Sequence, residues 1–228
     1  MVPAGGVNNL PVPLTTFVGR QREVAEICAR LERTRLVTLT GAGGVGKSRL
    51  TLEVATRTAA HRRDGVRFVE LAGLTEPQLV ANAVAAVLDV PEHPERALPD
   101  ILAEQLREAD LLLFLDGCEH LLKPMAQLVH MWLTASRGLR ILTTSRERLG
   151  IRGEILWPVT GLAAPPEHVE GIEVEGFEAV RAFLERAAAV DPGFRLTAST
   201  ATAVGARTGP PSAAGTAERQ YGWSSPPR

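Results

Sequence analysis

Leu36-Val37-Thr38-Leu39-Thr40 runs straight into Gly41-Ala42-Gly43-Gly44-Val45-Gly46-Lys47-Ser48. The first five residues have the β-branched and aliphatic character of a short buried strand, and from Ser48 to Ala60 the apolar residues recur at helical spacing. The octet between them satisfies G-x-x-x-x-G-K-[ST] in the strand-to-helix setting that gives this pattern its chemistry. Backbone N–H groups in such a loop, aided by the positive end of the following helix, are expected to face the β-phosphate of a nucleotide. Gly41, Gly43, Gly44, Val45 and Gly46 supply that backbone. Lys47 is then the cation for the β- and γ-phosphates, Ser48 the hydroxyl ligand for Mg²⁺, and Arg49 a further candidate in the first helical turn.

Working outward, strand and helix patterns alternate. A helix is expected over 20–33, with Val24, Ile27, Cys28 and Leu31 on one face. Strands follow at 66–71, 111–115, 139–143 and 155–159, with helices at 78–88, 98–109 and 125–135. Leu111-Leu112-Leu113-Phe114-Leu115 has no polar alternation, as a central parallel strand covered on both faces requires. The fold class expected is α/β, a P-loop parallel sheet with helices on both faces, spanning 14–162 after a Pro- and Gly-containing arm at 1–13. Ala163-Ala164-Pro165-Pro166 reads as a linker into a partial helical domain at 163–204, with a helix at 178–190. Residues 205–228 hold no Val, Ile, Leu, Met or Phe and are expected to be a disordered tail.

Asp116 directly follows the most apolar strand, which puts a carboxylate at the strand's carboxyl end, on the side where the phosphate loop opens. It is the Walker B candidate for Mg²⁺. Glu119, three residues on, is close enough to orient or deprotonate an attacking water, or else is a surface glutamate. Gly41, Gly43 and Gly46 also satisfy the dinucleotide pattern G-x-G-x-x-G, with Glu70 at the end of the next strand as its ribose-binding acid. That alternative gives Lys47-Ser48 no role.

Lys plus Arg total 25 and Asp plus Glu 26, so the net charge of −1 offers no global attraction to nucleic acid or an anionic membrane. Cys28 and Cys118 lack a nearby cysteine partner, and the five histidines lack the i,i+4 spacing of a helical zinc site. Met1–Leu10 has no basic cluster leading into an apolar core, and no apolar run reaches membrane-spanning length. The expectation is a cytoplasmic protein without a membrane span. No helix-turn-helix or other direct DNA-binding motif is visible, and no Asn-Lys-x-Asp guanine-reading motif occurs.

Several segments together resemble the NB-ARC-type signal-transduction (STAND) ATPases, particularly those in bacterial LuxR-type and antibiotic-pathway regulators. They are Asn8-Asn9-Leu10-Pro11, Phe17-Val18-Gly19-Arg20-Gln21-Arg22-Glu23, the phosphate loop, Phe68-Val69-Glu70-Leu71, Leu113-Phe114-Leu115-Asp116-Gly117-Cys118-Glu119-His120, Leu139-Arg140-Ile141-Leu142-Thr143-Thr144-Ser145-Arg146 and Trp157-Pro158-Val159. The resemblance implies an ATP/ADP-binding switch with slow Mg²⁺-dependent hydrolysis, or a related interaction domain that does not hydrolyse. It also implies that Val18, Gly19 and Arg20 border adenine and ribose, that Arg146 senses the γ-phosphate, and that protein partners or self-association are possible. Two departures stand out. Gly117 replaces the asparagine that such proteins usually carry after the Walker B aspartate. After Val204 the Gly-Leu-Pro-Leu segment and winged-helix domain of that family do not follow, which reads as a truncation or a change of reading frame.

Overall fold

The computed structural model describes residues 8–166 and 171–197. The expected tail at 205–228, residues 1–7 of the arm and parts of the 163–204 segment lie outside the described residues. Within unit 1, up to Thr160, helices α1 (Gln21–Arg33), α2 (Lys47–Thr58), α3 (Gln78–Val87), α4 (Leu98–Gln105) and α5 (Leu122–Ala135) accompany strands β1 (Leu36–Thr40), β2 (Val66–Glu70), β3 (Leu112–Asp116), β4 (Arg140–Ser145) and β5 (Ile155–Pro158). A second unit begins at Gly161 and holds α6 (Glu178–Val190). There Val174 and Val180 are buried among Phe177, Phe183, Leu184, Phe194 and Leu196.

The five strands form one parallel sheet in the order β2-β3-β4-β1-β5. β3 explains why its sequence lacks polar alternation. Leu113 and Leu115 face a core built with Val80, Val84, Leu102, Met125 and Trp132 of α3, α4 and α5. Leu112 and Phe114 face the opposite core, built with Val24, Ile27, Leu31, Leu50 and Val54 of α1 and α2. Each such side chain stabilises the fold by roughly 1.5–3 kcal/mol relative to exposure. Arginines at the strands' amino ends complete the helices: Arg35 Nη1 donates to the carbonyls of Leu133 and Ser136 at the end of α5, both at 2.6 Å. Arg140 Nε does the same for Leu31 of α1 at 2.6 Å. Cations suit the negative end of a helix.

The arm is fastened to the sheet's β2 edge. Asn9 Nδ2 donates to the Phe68 carbonyl at 2.8 Å and the Phe68 N–H donates to Asn9 Oδ1 at 2.7 Å, so one side-chain amide satisfies an edge residue as a neighbouring strand would. Several boundaries differ from expectation: α5 starts at Leu122 rather than Met125, and β4 runs on to Ser145. α4 stops at Gln105 although Leu106 and Ala109 are buried, because the apolar spacing continues through a hydrogen-bonded turn. A short 3₁₀ turn at Ala59–His61 follows α2. Among the described residues no helix is long and apolar enough to cross a membrane.

Candidate nucleotide-binding site

In a parallel sheet all carboxyl ends lie along one edge, and the sequence candidates cluster there. The order of strands decides between the two glycine-loop readings. β2 is separated from β1 by β3 and β4, so Glu70 stands at the far edge of the sheet from Gly41–Lys47, whereas Asp116 on β3 is one strand removed. A dinucleotide fold would place those two strands side by side. The Glu70 alternative is therefore discarded.

Gly41 begins the loop where a side chain is excluded. A Cβ there would stand 2.6 Å from the Val159 carbonyl oxygen, and φ is +150°. The close approach follows from β5 pairing with β1, which the Val159 N–H extends by donating to Thr40 O at 2.7 Å. The loop ends at Gly46, and α2 starts with neither a capping side chain nor an acid in its first turn, so the helix's first N–H groups are left for an anion. Lys47 is buried, and its ammonium donates to the carbonyls of Gly41 and Ala42 at 2.9 and 3.0 Å, which holds the cation within the loop.

Ser48 and Asp116, 68 residues apart, meet: Ser48 Oγ donates to Asp116 Oδ1 at 2.7 Å. A hydroxyl beside a carboxylate is a pair of hard oxygen donors, the chemistry Mg²⁺ selects. Thr144 of β4 reaches the same carboxylate. Its Oγ1 donates to Asp116 Oδ1 and accepts from the Gly117 N–H at 2.9 Å, while its carbonyl accepts from Cys118 N at 3.0 Å. Gly117 has φ +81°, and a Cβ on it would lie 2.8 Å from the Ala72 Cβ, which accounts for glycine at this position. Cys118 is fully buried against Thr143 Oγ1, and burial pushes its thiol up to about 12.

Arg146 follows β4, and its guanidinium faces the loop, with Nη2 3.7 Å from where a Gly43 Cβ would be. Its Nε lies 3.6 Å from Glu119 Oε1, so these two candidates pair with each other. Val18 is half-buried, and Gly19 and Arg20 are successive left-handed residues at φ 72° and 56° that turn the chain into α1. Arg20 is buried, and its Nη2 donates to Val45 O at 3.0 Å and Thr160 O at 2.5 Å. Its guanidinium thus lies against the phosphate-loop backbone. Arg49 is directed to the segment that follows the arm, donating to the carbonyls of Thr15 and Thr16 at 2.6 and 3.1 Å.

Thr144 was not a sequence candidate for any role. The available signal was the run Thr143-Thr144-Ser145, hydroxyl-bearing residues that are buried at the end of a strand.

The family described as AAA domain matches residues 30–149, just over half of the chain. A putative HTH-type transcriptional regulator of Mycobacterium tuberculosis is 42% identical over 177 residues, which cover 78% of this chain and 19% of the regulator. The chain spans under half the length of the curated relatives it matches. Among solved structures, a STAND protein with a tetratricopeptide repeat sensor from Pyrococcus horikoshii aligns over 85% of this chain and 28% of its own, with a TM-score of 0.50 and 15% identity. The ORC2 protein of Aeropyrum pernix aligns over 82% of this chain and 56% of its own, with a TM-score of 0.53 and 16% identity. Both structural likenesses are likenesses of fold.

Proposed function

The chain belongs to the AAA-domain family of P-loop ATPases, and we propose that it is the nucleotide switch module of a bacterial signalling or transcriptional regulator, binding ATP and ADP with Mg²⁺ and hydrolysing ATP slowly. The observation that carries this reading is the convergence of Lys47, Ser48 and Asp116 on one edge of the sheet. The similarity to a mycobacterial regulator supports a regulatory setting, and the likeness to a STAND protein agrees in fold with the NB-ARC resemblance.

In this reading the loop N–H groups and the first turn of α2 bind the phosphates. Lys47 moves from its carbonyl partners to the β- and γ-phosphate oxygens. Ser48 would present an oxygen lone pair to Mg²⁺ while its own O–H stays hydrogen-bonded to Asp116, and Asp116 would help to hold the metal. The metal would supply charge neutralisation to the phosphates. Val18 and Gly19 border the base and ribose, Glu119 orients the attacking water, and Arg146 reads the γ-phosphate. The missing guanine motif favours adenine.

Calorimetry with Mg-ATP tests the reading. Lys47→Ala is expected to weaken ATP binding at least tenfold, about 1.4 kcal/mol or more. Unchanged ATP affinity in that variant, or stronger competition from GTP than from ADP, would overturn it. Phosphate release by the unaltered chain but not by Glu119→Gln separates a hydrolysing switch from a nucleotide-binding interaction domain.

A further inference from the structure

We propose that Thr144 is a positioning residue for Asp116, fixing the carboxylate in the orientation that serves Mg²⁺ together with Ser48. The proposal rests on the nucleotide-binding reading above and deepens it at one residue.

A threonine hydroxyl has one proton and two lone pairs. At Thr144 the Gly117 N–H occupies a lone pair at 2.9 Å, and the proton goes to Asp116 Oδ1. The rotor therefore has a single setting that satisfies both neighbours. Thr144 is 1% exposed, so water does not substitute for either bond. The residue also holds the backbone on both sides of its side chain: its own carbonyl accepts from Cys118 N at 3.0 Å. β4 thus grips three consecutive residues, Asp116, Gly117 and Cys118, just where β3 leaves the sheet.

Two hydroxyl protons converge on Asp116 Oδ1, one from Ser48 on α2 and one from Thr144 on β4. They come from two different elements, and they leave Oδ2 as the oxygen without a hydroxyl donor of its own in this cluster. A carboxylate held by one oxygen presents the other in a fixed direction, so its hydrogen bond to a metal-bound water needs no further ordering. Without Thr144 the Asp116 side chain would have only the exposed Ser48 hydroxyl to orient it, and the Gly117 amide would lose its acceptor. The expected consequence is specific to the metal: nucleotide binding that does not depend on Mg²⁺ is served by the loop and Lys47, which Thr144 does not touch.

The experiment measures ATP affinity by calorimetry with Mg²⁺ and with excess chelator, together with amide exchange at Gly117 in the nucleotide-free chain. In Thr144→Val the affinity gained from Mg²⁺ should fall about tenfold, chelator-treated ATP affinity should stay within about twofold, and the Gly117 amide should exchange faster. Thr144→Ser, which keeps the hydroxyl, should restore both. If Thr144→Val does not fold, Thr144→Cys keeps the volume with a far weaker donor and should show the same direction of loss. An unchanged Mg²⁺ gain in the variant overturns the proposal alone, as does equal loss with and without metal or failure of serine to restore. An unaltered chain that binds no ATP overturns the nucleotide reading and this proposal together.

Discussion

Arg20 Nη2 donates to the Val45 carbonyl at 3.0 Å, so the turn that opens α1 holds the phosphate loop from outside. The same nitrogen donates to Thr160 O, and the side chain is almost wholly buried. Removing it leaves two carbonyls without their charged donor, a loss of roughly 2–4 kcal/mol. Arg20→Met should therefore lower the urea midpoint strongly, and Arg20→Lys should recover only part because an ammonium cannot reproduce the planar fork. A Met variant as stable as the parent would remove the strut from the account.

Gly117 is enclosed by Ala72, with prospective contacts of 2.8 Å to Cβ and 3.0 Å to Cα. Gly117→Ala should destabilise the chain by about 1–3 kcal/mol through strain at positive φ and overlap with that wall. Asparagine tolerates the left-handed region better than alanine but carries the same Cβ. Gly117→Asn should thus also destabilise, and adding Ala72→Gly should restore part of the loss. Denaturant unfolding of the three variants checks this; full tolerance of asparagine would show that the wall yields.

Asp64 gives the fold a pH dependence. Arg63 Nη2 lies 3.0 Å from Asp64 Oδ2 and this bond, opposed by burial and aided by the Asp110 N–H at 2.8 Å, holds the carboxyl below its ordinary value. A carboxyl lowered in the folded state stabilises above its unfolded value, near 3.9, and the contribution is lost as pH falls through the folded value. Asp64→Asn should lower the urea midpoint at pH 7, and the gap from the parent should close below about pH 4. A gap of constant size between pH 7 and pH 3 would mean that the charge is not what matters.

How far the sequence carried this far depends on whether a feature is local. Lys47 and Ser48 are separated from the strand by a fixed number of residues, and Leu111–Leu115 declares its burial by composition, so loop, central strand and Asp116 were all readable. The order β2-β3-β4-β1-β5 was not, because it depends on which strands pair across long crossovers. It is that order which brings Thr144 beside Asp116 and removes Glu70 from the loop. Arg20 shows the same limit: its sequence neighbours marked it as important, but its left-handed backbone and its aim at Val45 come from packing. Asn9 likewise enters the sequence reading only as part of a resemblance, and its role as partner of Phe68 depends on the packing of the arm against β2.

Arg146 and Glu119 give a prediction in which stability and binding separate. Their atoms approach to 3.6 Å, but Arg146 is two-thirds exposed, and an exposed pair of this kind contributes under about 1 kcal/mol. Arg146→Ala should leave the urea midpoint nearly unchanged. The guanidinium nevertheless faces Gly43 of the phosphate loop. In the proposed role it exchanges Glu119 for γ-phosphate oxygens, a contact ADP cannot make, so Arg146→Ala should weaken ATP about tenfold and ADP no more than about twofold. Glu119→Gln removes the competing carboxylate and should strengthen ATP binding modestly while stopping phosphate release. Calorimetry with both nucleotides on both variants decides the point: equal losses of ATP and ADP in Arg146→Ala would make the arginine a general phosphate cation rather than a reader of the γ-phosphate.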